Sequence, residues 1–284
     1  MDRNMMQRVA FAAVAIPLAL LVVWYGGLPL AMLVAGIAAL GVGELYGLAA
    51  ARGVRPLRRT GIALAVAVPL ALHGVLSLDP AISPLPYLAA MAVLVVLGMA
   101  LRRRAPDQQP LASAAITLFG VVYASALPAF LLLIRHAQWP GRTWGGAVLV
   151  FFPLVVVWVC DTAAMFAGRT IGGPKLAPTI SPGKTRVGAV AGLVGGVLVA
   201  PVFALWLFPA AGVSLSTVNA VAIALVLAVV GQLGDLVESL FKREAGVKDS
   251  STLIPGHGGV LDRFDALYAV VPVAAFCYHL TGLV

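Results

Sequence analysis

The chain has 284 residues, 61% hydrophobic and only 11% charged, with a net charge of +8 and a mean hydropathy of +1.02. Soluble globular chains carry about 25% charged residues, so this composition excludes a large soluble domain and makes lipid the main solvent. Nucleic acid is set aside as a partner, because basic residues of membrane proteins collect in cytoplasmic loops and meet anionic headgroups there.

A bilayer core takes roughly 20 apolar residues per helix. Nine apolar segments can be read, at about 9–25, 28–50, 61–78, 85–101, 111–134, 146–168, 188–208, 215–240 and 264–283. Each lipid-facing backbone group must be satisfied within its own segment, which predicts helices. The expected fold is therefore all-α, a polytopic integral membrane protein of about nine transmembrane helices. Residues 1–140 hold the first five, and 141–284 hold the last four with the polar loops. The first segment follows Arg3 and Arg8 and lacks a small-residue cleavage site, as an uncleaved signal-anchor would. With the N-terminus in the cytoplasm, seventeen of the nineteen basic residues fall on that side, and only Arg135 and Arg142 on the other. That bias supports both span number and direction, since one extra span would flip every later loop. The small residues of Gly188–Gly196 predict close helix packing. Cys160 and Cys277 lie inside apolar runs without metal-ligand spacing and read as packing residues.

Eleven acidic residues are few enough to weigh singly. An ionisable group in a span is costly unless partnered. Glu44, in GVGELYG, reads chiefly as a snorkelling or interhelical contact. Asp161 ends the run LVVVWVCDT near the cytoplasmic end of the sixth segment. In GQLGDLVES, helical spacing puts Gln232, Asp235, Glu238 and Ser239 on one face, poor for lipid and good for a cation.

Two polar stretches stand out. From Gly168 to Gly188, Arg169, Lys175, Ser181, Lys184, Thr185 and Arg186 lie among glycines, with the composition of a phosphate-holding loop but without Walker A spacing. From Ser239 to Leu267 the chain holds Lys242, Arg243, Lys248, Asp249, His257, Asp262, Arg263 and Asp265. Gly256, Gly258 and Gly259 let backbone N–H groups approach a phosphate. Asp262 and Asp265 open a helix at i, i+3 spacing, and hard cations such as Mg²⁺ take carboxylate and phosphate oxygens together. Residue chemistry alone points to cation-assisted phosphoryl or nucleotidyl transfer at the cytoplasmic membrane surface.

The second stretch resembles the signature of the phosphatidate cytidylyltransferase (CDP-diacylglycerol synthase) family. Ser239, Lys242-Arg243, Lys248-Asp249, Pro255, His257-Gly258-Gly259, Asp262-Arg263 and Asp265 fall in order at the family's spacing. GQLGDLVES, the SPGKT at Ser181–Thr185, and Asp161 with Gly168-Arg169 are also similar to family motifs. The chain departs at Arg186-Val187, where the family commonly has Trp-Glu.

The resemblance implies that CTP and phosphatidic acid give CDP-diacylglycerol and pyrophosphate in phospholipid biosynthesis. It implies a Mg²⁺ requirement, with room for a second cation, and matches Asp235 and Asp262 to cation-binding acids that Asp265 can join. It gives phosphate-binding roles to Lys242, Arg243, Lys248 and Arg263, opposite Ser181, Lys184 and Thr185. His257 is left to orient a phosphate or a carboxylate. Ser239, Asp249, Gly258, Gly259, Arg169 and Asp161 are expected to line the substrates. The setting is a bacterial-type inner membrane with the active site facing the cytoplasm. Small-residue faces permit a homodimer, as described for similar proteins. A polyprenol or phytol kinase would share the buried acids but lack the His-Gly-Gly to Asp-Arg-x-Asp run, and a secondary transporter would spread polar residues over both halves.

Overall fold

The computed structural model describes residues 17–76, 85–136, 138–139, 143–254 and 258–284. Residues 17–25 are helical, and the start of the first expected segment lies outside the described residues. Helices follow at Gly27–Ala51, Arg58–Val75, Leu85–Arg103, Pro110–His136, Trp144–Thr170, Arg186–Ala210, Thr217–Glu244 and Leu261–Leu280. They coincide with expected apolar segments to within a few residues, and the all-α class holds. Among the described residues six helices are long and apolar enough to cross a membrane. Arg58–Val75 and Leu261–Leu280, which open on Arg58 and Arg59 and on Asp262 and Arg263, are not among the six.

The described chain forms two compact units. One holds the residues up to Leu132 together with Glu244–Phe264; the other holds Leu133–Arg243 and Asp265–Val284. In the first, polar side chains inside apolar helices bond to backbone groups, as a lipid solvent demands. The Tyr46 hydroxyl donates to Thr117 O at 2.7 Å. Thr117 Oγ1 accepts from Leu57 N at 2.8 Å and donates to Ser113 O at 2.6 Å. A π-turn at Val122–Ala126 interrupts Pro110–His136, and within it Ser125 Oγ donates to Ala65 O at 2.7 Å.

In the second unit Trp144–Thr170 packs on Arg186–Val202 through the predicted small-residue stripe. A Cβ added at Gly192 would lie 3.0 Å from Cys160 O and 3.1 Å from Ala164 Cβ, so the backbones meet at glycine contact distance. Phe152, Phe203 and Phe208 pack ring to ring, with centroids 5.1–5.6 Å apart. Tyr278 OH donates to Leu149 O at 2.9 Å and fixes Leu261–Leu280 against Trp144–Thr170.

The polar stretch after Trp144–Thr170 is more ordered than a loop. Strands β1 (Lys175–Ala177) and β2 (Ser181–Thr185) pair antiparallel, with Lys175 opposite Thr185 and Ala177 opposite Ser181. Proline, glycine and threonine suit a short twisted ribbon better than a helix.

Candidate active site

The hairpin and the end of Thr217–Glu244 build one polar centre, wholly within the second unit. β2 holds Lys184 so that its Nζ lies 2.6 Å from Asp235 Oδ2. Ser239 Oγ, one helical turn on, donates to Asp235 Oδ1 at 3.3 Å. Arg243 Nε donates to Ile180 O at 3.1 Å and ties the helix end to the hairpin tip. Asp161, Asp235 and Asp265 come within electrostatic range of one another, with Lys184 acting on Asp161 and Lys242 on Asp265. Three carboxylates and two lysines thus share one neighbourhood.

Further along the same helix face Glu238 is fully buried and forms an ion pair with buried Lys242. Gln232 turns the other way: its Nε2 donates to Ala189 O at 3.0 Å and to Cys160 Sγ at 3.5 Å, so it is an interhelical tie. Thr185 is buried and caps Arg186–Val202, its Oγ1 accepting from Gly188 N at 3.0 Å. Thr185 thus fixes where the hairpin ends and the helix starts. At the departure from the family pattern, Arg186 is exposed in the first helical turn and its N–H bonds Pro174 O at 2.9 Å, closing the hairpin base.

The first unit holds the other half of the signature, organised by Glu44, which was expected chiefly as a snorkelling or interhelical contact. Both oxygens of Glu44 are engaged. Oε1 accepts from Ser251 Oγ at 2.7 Å and Val260 N at 3.0 Å; Oε2 accepts from Ser250 Oγ at 2.9 Å and Leu261 N at 2.7 Å. Leu261 opens the last helix, so Glu44 caps it from a distant part of the chain. Asp262 Oδ2 accepts from Ser250 N (2.9 Å) and Gly259 N (2.8 Å), and the single hydroxyl proton of Ser250 is shared between this oxygen, at 2.8 Å, and Glu44 Oε2. The Gly259 N–H expected to face a phosphate is therefore spent on Asp262. The glycines remain necessary. Gly258 has φ +79°, and a Cβ on Gly259 would run into Ser250 and Glu44. An acid flanked by glycines at the end of an apolar run was the available signal for Glu44, and the paired serines of KDSST the signal for its partners.

Of the other expected residues, Arg169, Arg243, Lys248, Asp249 and Arg263 are exposed, while Ser181 is partly covered in β2. Pro255 and His257 lie outside the described residues. Among the described residues no three of His, Cys, Asp and Glu converge closely enough to hold a metal unaided. The second-unit acids nonetheless fit a hard divalent cation in chemistry, being oxygen donors with mutual repulsion to relieve, provided substrate oxygens complete the set.

Fold and site together define a polytopic helical membrane protein with a carboxylate–lysine centre suited to phosphate-bearing groups. The chain belongs to the cytidylyltransferase family, whose pattern it matches over residues 6–281. Among curated relatives it is 40% identical over 168 residues to a phosphatidate cytidylyltransferase of Bacillus subtilis, covering 59% of this chain and 58% of that one. It is 42% identical over 172 residues to that of Brucella suis (58% and 56%), and 40% identical over 147 residues to that of Haemophilus influenzae (52% and 51%). The chain thus spans between about half and three-fifths of the curated relatives it matches.

Proposed function

We propose that this protein transfers CMP from CTP to phosphatidic acid, giving CDP-diacylglycerol and pyrophosphate. The observation that carries the reading is the unbroken signature from Ser239 to Asp265, in a chain whose relatives are named for that reaction. A phosphate oxygen of the lipid attacks the α-phosphorus of CTP. The bond to the β-phosphate breaks, and pyrophosphate leaves. The nucleophile brings its own charge, so no serine or cysteine nucleophile is needed. The residues' work is positioning and charge neutralisation.

Exposed Arg243, Lys248 and Arg263 are reachable by nucleotide phosphates arriving from water. Lys184, already at carboxylate distance from Asp235, can turn to a phosphate when one arrives. Asp235 and Asp265, within electrostatic range of exposed Asp161, would hold Mg²⁺; the cation role that the resemblance gives Asp262 is a separate expectation. Bound there, the cation supplies Lewis-acid neutralisation of phosphate oxygens. The buried Glu238–Lys242 pair holds the helix end that carries Arg243.

Purified protein given labelled CTP, phosphatidic acid and Mg²⁺ is expected to form labelled CDP-diacylglycerol. Failure to form it, or equal lipid labelling from ATP, would sink the reading. We further infer an inner-membrane location with the N-terminus and the signature facing the cytoplasm, supported by the basic-residue bias. Single cysteines at positions 81 and 212 are then expected to react with an impermeant reagent from outside only; reaction of both from the cytoplasm would overturn the topology.

A further inference from the structure

The arginines at the ends of Arg58–Val75 and Leu85–Arg103 do more than a topology signal requires. They line a cavity of about 300 Å³ together with Leu57 and Thr60. Arg58, Arg59, Arg103 and Arg104 all face it, and among the described residues no carboxylate does. Three features make the cavity ready for an anion. Arg58–Val75 starts at Leu57 with no side-chain cap and no acid in its first turn, so its positive end meets two further cations. The Leu57 N–H is already spent on Thr117 Oγ1, which fixes the helix start from behind. Arg104 is clamped in place, its Nη2 donating to Arg55 O at 2.9 Å and Pro56 O at 3.2 Å, while its Nε is buried without a hydrogen-bond partner. Four guanidiniums around one cavity, those of exposed Arg58, Arg59 and Arg103 among them, beside an uncapped helix start form an arrangement whose charge a phosphate would neutralise.

We propose that this cavity binds the phosphate of an anionic phospholipid headgroup. Guanidinium forks match phosphate oxygens bidentately, and the volume suits a headgroup. A lipid is favoured over a soluble anion because Leu85–Arg103, whose last turn supplies Arg103, is apolar enough to span a membrane. The cavity therefore sits where such a helix reaches headgroups. None of its lining residues belongs to Gly168–Gly188 or Ser239–Asp265, so the site is separate from the transfer chemistry and stands or falls without it.

The test is native mass spectrometry of the full chain in detergent, offered phosphatidylglycerol or phosphatidylcholine with identical acyl chains. Wild-type protein is expected to retain phosphatidylglycerol preferentially. Arg59→Gln and Arg103→Gln, both at exposed positions, should each weaken that preference about fivefold, the value of one basic residue at an anionic headgroup. Arg52→Gln, outside the cavity, should leave it unchanged, as should inorganic phosphate at the lipid's concentration. Undiminished preference in the Arg59 and Arg103 variants would overturn the proposal, as would an equal loss with Arg52→Gln. Displacement by inorganic phosphate would make this a soluble-anion site and equally overturn it.

Discussion

Glu44→Ala is expected to lower the rate of CDP-diacylglycerol formation by about 100-fold, the scale of loss that follows small misplacement of reacting groups. Glu44 touches no proposed substrate group. It fixes Ser250, Ser251, Val260 and Leu261 through four hydrogen bonds of 2.7–3.0 Å. Those residues frame Asp262, whose Oδ2 rests on Ser250 and Gly259. Hydrogen bonds to a charged group contribute about 1.5–3 kcal/mol each, so their joint loss frees the loop. Glu44→Gln keeps the size and one acceptor oxygen and should recover part of the rate. Gly259→Ala, which drives a Cβ into Glu44 and Ser250, should behave like Glu44→Ala. The measurement is kcat and KM for CTP across these variants, beside thermal unfolding in detergent. Positioning predicts a fall mainly in kcat, graded from Gln to Ala. Wild-type kcat in Glu44→Ala would refute the role.

The second large effect concerns the Lys184–Asp235 pair. Asp235→Asn should reduce turnover by about 10³-fold, the scale seen when one preorganised electrostatic contact to a transition state is removed. Lys184→Gln should act differently. Lys184 Nζ stands 2.6 Å from Asp235 Oδ2, so under the proposed function it would compete with a divalent ion for that oxygen. Its removal should raise KM for CTP while lowering the Mg²⁺ concentration that gives half-maximal rate. A purely structural ion pair predicts equal losses from either substitution and no change in Mg²⁺ dependence. Titrating Mg²⁺ against both variants separates the cases.

Much of this was legible in the sequence, for reasons that differ by element. Lipid solvation imposes long apolar runs, so helices such as Trp144–Thr170 announced themselves and their ends fell within a few residues. The GAVAGLVGG stripe declared close packing because little else makes a run of small residues useful. The hairpin Lys175–Thr185 was hidden, because strands of three and five residues are too short to show a periodicity, and the longer one carries Pro182 and Gly183. Glu44 read as a snorkelling or interhelical contact, and it does tie two helices; its particular partners were hidden for a related reason. Its partners stand 206 to 217 residues away, and no local pattern reports a contact of that separation. The candidate acids and bases were found singly, yet their pairing was not. Lys184 with Asp235, and Lys242 with Glu238, were each read as groups reserved for ligands.

The distance in sequence between Glu44 and its partners also sets an order of assembly. At a synthesis rate of about 5–20 residues per second, Glu44 leaves the ribosome about 10–40 s before Ser250 and Leu261 exist. For that interval the growing chain holds a carboxyl group in an apolar helix with its eventual donors still unmade. The loop that frames Asp262 can therefore settle onto Glu44 only after most of the chain has been made, so the first unit closes late although its largest part is made first.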